Sequence, residues 1–85
     1  MSLKEKLTKN IARNLRRSRE DRGLSQNAMA DFVSNDERTI YAKTYQRIEY
    51  GEGTPDLDIL VQIALQIGVS VDDLIGPVKT LQKSR

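Results

Sequence analysis

Neither cysteine nor histidine occurs in the 85 residues, and the two absences exclude a good deal. Without cysteine there are no disulfides and no thiolate metal sites. Without histidine the commonest metal ligand and the usual general base near neutral pH are missing as well. Catalysis, a metal and a cofactor are therefore not expected, and the composition reads as cytoplasmic. No apolar run approaches the roughly 18 residues that a membrane span requires, and the N-terminal stretch lacks the apolar core of a signal peptide. A soluble, unprocessed chain with no membrane partner is the expectation. Strand signals are almost absent, and internal repeats, low-complexity tracts and domain linkers are not seen. A chain of this length fits one domain and can only just build a core without staples.

What the sequence does have is charge, unevenly placed. The formal net charge is +2, yet residues 1–22 hold eight Lys or Arg against three acids, and the remainder holds six against nine. Such a split fits an anionic partner on one side of the molecule and equally a solvated helix face.

Helix signals fill most of the chain. Ser2 and Glu5 have the spacing of a capping box, and Leu3, Leu7, Ile11 and Leu15 recur every fourth residue, so a first helix is predicted over residues 3–22, stopped by Gly23. Ser25 is placed to cap a short second helix with Ala28, Met29, Phe32 and Val33 inward. A third is predicted over 40–50, ended by Gly51, with Tyr41, Tyr45 and Ile48 inward and Lys43, Thr44 and Arg47 outward. The fourth, over 56–67, is apolar except for Asp58, Gln62 and Gln66, which form one narrow wet stripe, and it should be the most buried element. Ser70 and Asp73 cap a fifth over 71–75, after which Gly76 and Pro77 release a tail.

Two inward positions carry chemistry unsuited to a core. The stripe of the first helix continues past Leu15 to Arg19, and the inward face of the third continues past Tyr45 to Glu49. Either charge would be costly to bury alone. Paired, they would lock the first helix against the third; singly, each also fits an ordinary surface position.

At this point the residues resemble a family. "GLSQNAMADF" followed by "TYQRIEYGEGTPDLDILVQIALQIGVSVDDLIG" is similar to the helix-turn-helix domain of the Cro/C1 (Xre-like) repressors of phages and bacteria. The matching features are Leu24, Ser25 and Gln26, Met29 with Ala30, then Ile48, Glu49, Gly51, Pro55, Leu57 and "GVSVDDL". The resemblance implies an all-α, five-helix lambda-repressor-like fold, with residues 1–76 as the DNA-binding domain and 77–85 as a C-terminal tail. It also implies an ion pair between an arginine late in the first helix and a glutamate ending the third, positions held here by Arg19 and Glu49.

In helix-turn-helix proteins the second helix of the motif enters the major groove while the first crosses the phosphate backbone. Carried over residue by residue, the resemblance puts Ala42, Lys43, Thr44, Gln46 and Arg47 at base-contacting positions. A guanidinium such as that of Arg47 can bind guanine O6 and N7 together, and Ala42 can meet a thymine methyl. Ser25, Gln26, Asn27, Arg38, Tyr41 and Tyr50 fall where the DNA backbone would be met. For Lys43 and Arg47 a plain solvated helix face is the competing reading, and for Tyr50 a ring lying over the core edge.

One stretch departs from the pattern. Six residues, "SNDERT", separate Val33 from Ile40, where the motif usually has a turn of about three to four. The turn has grown and holds no glycine. Tyr41 stands where many relatives have a small capping residue, so Thr39 or Asp36 is expected to cap instead.

A domain presenting one helix reads only a few base pairs, so a homodimer on palindromic operator DNA is expected, with half-sites about 34 Å apart. Val71, Leu74, Ile75, Val78 and Leu81 offer a dimer surface, and Leu3 with Leu7 a second one; both sets fit packing of the chain ends against each other as well. The function expected is a small repressor that excludes RNA polymerase from a promoter or contacts it. A different class, an antitoxin-like protein-binding module with the tail from Val78 holding its partner, fits the same scaffold. A basic first helix on an anionic membrane surface is a third reading. Asp72 and Asp73, adjacent and hence splayed on a helix, do not make a catalytic pair.

Overall fold

In the computed structural model, which describes residues 1–77, five helices follow one another and no strand occurs among the described residues. None of these helices is long and apolar enough to cross a membrane. α1 (Leu3–Asp21) begins at the capping box legible in the sequence: Ser2 Oγ accepts the Glu5 N–H at 3.1 Å, and the Glu5 carboxylate accepts the Ser2 N–H at 2.9 Å. Two donors that have no partner inside the helix are thereby satisfied. Its apolar stripe buries Ile11 and Leu15. Gly23, at φ +67°, turns the chain out of the helix, and the Leu24 N–H returns to the Arg19 carbonyl.

α2 (Gln26–Val33) starts at Ser25, whose Oγ accepts the Ala28 N–H at 3.1 Å. Met29, Ala30 and Val33 are its buried residues. Phe32, expected inward, is 40% exposed and lies under the Arg22 guanidinium, 5.1 Å from ring centroid to Cζ. At about 100° per residue Phe32 and Ala30 flank the Met29–Val33 stripe on opposite sides by similar angles, and the core closes over the Ala30 side.

α3 (Ala42–Glu49) begins two residues later than the sequence predicted and stops one residue earlier. Its N-cap position is Tyr41, which makes no side-chain capping bond and is 70% exposed, so neither Thr39 nor Asp36 caps the helix and Tyr41 does not face the core. Its neighbour in the connecting loop, Ile40, is buried instead. That loop is held by polar side chains. Ser34 Oγ accepts the Ile40 N–H at 2.7 Å, and Asn35 Oδ1 accepts the N–H groups of Glu37 and Arg38, both at 2.9 Å.

α4 (Leu57–Ile67) runs behind this loop. Gln62, read as part of a wet stripe, is buried, and its Nε2 donates to the carbonyls of Val33 at 2.9 Å and Arg38 at 3.1 Å. It gives the Val33 carbonyl a donor and adds a second one at the Arg38 carbonyl, which also accepts the Asn35 N–H at 3.0 Å. The helix is also less enclosed than its composition suggests: Leu60, Ile63, Ala64 and Ile67 are buried, whereas Leu57 and Leu65 are each 73% exposed. It ends at Gly68, φ +86°. α5 (Val71–Ile75) has a second capping box, from Ser70 and Asp73. Leu74 enters the core, with Val71 and Ile75 partly buried against it. Val78 and Leu81 lie outside the described residues.

One core joins these helices. α1 packs on α5 and α3, and α2 packs on α3 and α4. Ile11, Leu15, Met29, Val33, Tyr45, Ile48, Ile63 and Leu74 all meet within it. Asparagines of α1 fasten the far end: Asn14 Nδ2 donates to the carbonyls of Leu74 and Gly76, each at 2.8 Å, and Asn10 Nδ2 to that of Ile75 at 2.9 Å.

Candidate nucleic-acid interface

α3 divides sharply between inward and outward chemistry. Tyr45, Ile48 and Glu49 are buried, Ala42 and Gln46 are half-buried, and Lys43, Thr44 and Arg47 are exposed. Rotation by about 100° per residue puts Lys43 and Arg47 directly across the helix from the buried set, with Gln46 on one flank and Thr44 on the other. Ala42 belongs to the inner half, packed against the core. Arg47 is held only loosely, with Nε 3.9 Å from a Glu52 carboxylate oxygen and both side chains well exposed. Such a contact leaves the guanidinium available to a stronger anionic or bidentate acceptor.

Behind this ridge lies the ion pair. Glu49 is 1% exposed, and Arg19 donates to its carboxylate from Nε at 2.9 Å and from Nη2 at 2.8 Å, while Nη1 donates to the Leu24 carbonyl at 3.1 Å. This two-point geometry fixes the roll of α3 against α1 and the start of α2. Gln26 adds a third side: its Nε2 donates to Glu49 Oε1 at 3.1 Å and its Oε1 accepts the Tyr50 hydroxyl at 3.2 Å. Arg16 reaches the Glu49 carbonyl at 3.4 Å. Burial pushes the Glu49 carboxyl up, but the Arg19 guanidinium, the Tyr45 hydroxyl and the Gln26 amide outweigh burial and hold it below its usual value. The Tyr45 phenol, buried beside the carboxylate, is pushed well above its usual value. It lies near enough for each group to shift the other without reaching ordinary hydrogen-bond geometry.

The remaining candidates fall into two groups. Ser25, Asn27 and Tyr50 stand exposed at the start of α2 and the end of α3, with Gln26 half-buried between them and already bonded on both sides. Arg38 and Tyr41 stand on the loop side. The Arg38 guanidinium is engaged by Asp58, Nη2 to Oδ2 at 2.6 Å, and this contact holds the Asp58 carboxyl below its usual value. Of the cations in the first 22 residues, Arg19 and Arg22 are also built into the fold, Arg22 through a 3.0 Å bond to the Ile67 carbonyl at the end of α4. Part of the basic excess is therefore structural. Lys4, Lys9, Arg13, Arg16 and Arg17 remain exposed along α1.

Several contributors were not singled out from the sequence. Thr54 and Gly53, in the loop after α3, line a shallow concavity with Pro55, which the sequence marked only as a family-like position, and with Thr44, Arg47, Ile48 and Ile59 beside the cationic ridge. Thr8 and Thr54 share a hydrogen bond at 2.9 Å that ties this loop to α1. Gln62 was visible as a polar residue in an apolar run, but its target carbonyls could not be read without the tertiary structure.

With this geometry in view, the likeness to known proteins is specific. The sequence pattern of the helix-turn-helix family matches residues 15–74. A curated relative, the SPbeta prophage-derived uncharacterized HTH-type transcriptional regulator YonR of Bacillus subtilis (strain 168), is 36% identical over 61 residues, which is 72% of this chain. The chain spans about half of that relative's length, 52%. The crystal structure of the hypothetical transcription factor NHTF from Neisseria superposes with a TM-score of 0.72 at 22% identity, over 93% of this chain and 85% of that one. This last likeness is one of fold.

Proposed function

The chain belongs to the Cro/C1-type helix-turn-helix family of DNA-binding transcriptional regulators, and from that premise we propose that it is a repressor that binds palindromic operator DNA as a homodimer, with α3 lying in the major groove. The observation that carries this reading is the division of α3: Lys43 and Arg47 stand exposed on the face opposite the core, Arg47 only loosely held by Glu52, while Glu49 on the other face is clamped by Arg19. A helix whose roll is fixed from behind presents the same side chains to every duplex, which base-edge recognition requires.

Lys43, Thr44, Gln46 and Arg47 then read bases, Arg47 as the bidentate partner of a guanine and Lys43 as a looser one. Ala42, lying half inward, reaches a thymine methyl only from the edge of the helix. Ser25, Asn27 and Tyr50 meet phosphates on one side of α3, and Gln26 acts chiefly by orienting Tyr50. On the other side Tyr41 and Arg38 meet the backbone, Arg38 by exchanging Asp58 for a phosphate. Repression follows from occupancy of a promoter in the cytoplasm, by exclusion of RNA polymerase or by contact with it.

Selection of bound duplexes from a random pool, followed by sequencing, tests the reading. An enriched palindrome is the expected result. No enrichment at moderate salt, where non-specific attraction to phosphates is weakened, would overturn it.

A further inference from the structure

α4 has a second apolar face that the core leaves uncovered. Leu57 and Leu65 are each 73% exposed and Val61 is 37% exposed. Spaced four residues apart, the three form one stripe on the side of the helix away from Leu60, Ile63 and Ile67. Along one flank, the enlarged turn borders a shallow trough in which Asn35, Glu37 and Arg38 face Asp58, Val61 and Leu65. Three large aliphatic side chains in a row on a domain this small are unlike scattered surface apolar residues and mark a surface meant to be covered.

The pattern selects the occupant. Leu57 and Leu65 flank Val61 at equal spacing and with equal exposure, so the stripe is its own complement. A two-fold axis beside Val61 sets Val61 on Val61 and each Leu57 against Leu65 of the other copy, as an isologous interface requires. The two α4 helices then run antiparallel, the positive N-terminus of each beside the negative C-terminus of the other. Arg38 and Asp58 stand on the rim paired with each other, so this pair adds no net charge that would repel a second copy. The position in the fold suits the operator reading too. Pro55, just before α4, and Ile59, in its first turn, line the concavity that Thr44 and Arg47 of α3 also line, so each recognition helix lies at the N-terminal end of its α4. An antiparallel joint therefore places the two recognition helices at opposite ends of a segment about 16 Å long, outward toward the roughly 34 Å separation of half-sites one turn apart.

We propose that two copies of this chain pair through α4 across a two-fold axis at Val61, with Leu57 of one copy against Leu65 of the other. The proposal rests on the operator-binding reading and names the surface that joins the copies there. It also sets the strength of the joint. Three side chains and the adjoining trough fall well short of the roughly 800 Å² per partner of a standard stable interface. The joint is weak between free chains and closes when neighbouring half-sites raise the effective concentration of one copy around the other.

The absence of cysteine makes the test direct. On the selected two-half-site duplex under mild oxidation, Val61→Cys should form a disulfide-linked dimer. Leu57→Cys alone and Leu65→Cys alone should not, whereas an equimolar mixture of those two should. Separately, Leu65→Glu should keep the thermal midpoint and the affinity for a single half-site, and lose roughly tenfold or more of the affinity for the paired site. Cooperative occupancy by the unmodified chain, with no Val61→Cys cross-link and no effect of Leu65→Glu, would overturn the α4 joint and leave the operator reading intact. If no duplex is selected, the operator reading fails by itself. The cross-linking pattern is then read at millimolar chain without DNA, where the same pairs are expected and their absence overturns the joint.

Discussion

At the scale of the residue, Glu49 is the most consequential side chain. A carboxylate that is 1% exposed and receives two donors from Arg19 cannot lose its partner cheaply, because the remaining charge would stay buried. Glu49→Ala should cost about 3 kcal/mol or more, measured by urea unfolding. The pH dependence follows from its depressed pKa. Stability from the ionised carboxylate is fully present above the usual value of 4.5 and is lost as the pH falls from there through the lower folded-state value. Glu49→Gln should therefore flatten the acid limb of the stability curve below about pH 4.5 while lowering the plateau at neutral pH. Arg47 lies at the opposite extreme, exposed and loosely held. Arg47→Ala should leave stability unchanged but weaken binding to the selected duplex by about 1–3 kcal/mol and relax the preference at one base position, with non-specific binding almost unaffected. Titration against single-base variants of the duplex would show this.

At the scale of the element, the enlarged turn and the helix ends carry the argument. The loop from Ser34 to Tyr41 has no glycine and no apolar anchor except Ile40, so it takes its shape from Ser34, Asn35 and the buried amide of Gln62. Gln62→Leu would keep the volume but leave the Val33 and Arg38 carbonyls without that donor. A loss of about 1–3 kcal/mol is expected, together with faster amide exchange in the loop. Gly68 offers a different test. A Cβ there would meet nothing within 4 Å, yet the backbone sits at φ +86°, so the cost of Gly68→Ala comes from conformation alone. About 1 kcal/mol is expected, read as a lower thermal midpoint with unchanged binding. The helices themselves were legible because caps and periodicity are local properties. The start of α3 was not, because Tyr41 has no capping chemistry and the boundary is set by where Ile40 enters the core.

At the scale of the whole molecule, each helix borrows its stability from the others. α2 and α3 have eight residues each and α5 has five, too few to persist alone in water, and their apolar residues meet in one cluster with those of α1 and α4. Unfolding should be a single cooperative transition, with circular dichroism and tyrosine fluorescence giving coincident curves. The charge asymmetry also acts at this scale. The exposed cations of α1 and α3 should give binding that weakens steeply with added salt, and replacing one phosphate-contacting cation should reduce the slope of log K against log salt by about one.

The sequence by itself determined the five helices, the caps of α1, α2 and α5 and the outward placement of Lys43 and Arg47, because capping and helical periodicity are written within a few neighbouring residues. The periodicity also marked Arg19 and Glu49 as inward positions, since a stripe keeps its direction along a helix. Only the tertiary structure decided which polar side chains serve as internal fastenings. Gln62, Asn10, Asn14 and Arg22 end on backbone carbonyls up to 67 residues away in the chain, and nothing local specifies those partners. It likewise decided that Phe32 and Tyr41 stay outside and that α4 keeps an uncovered stripe at Leu57, Val61 and Leu65. Apolar composition counts what could be buried, whereas the number of neighbours a small domain can bring to a helix sets what is.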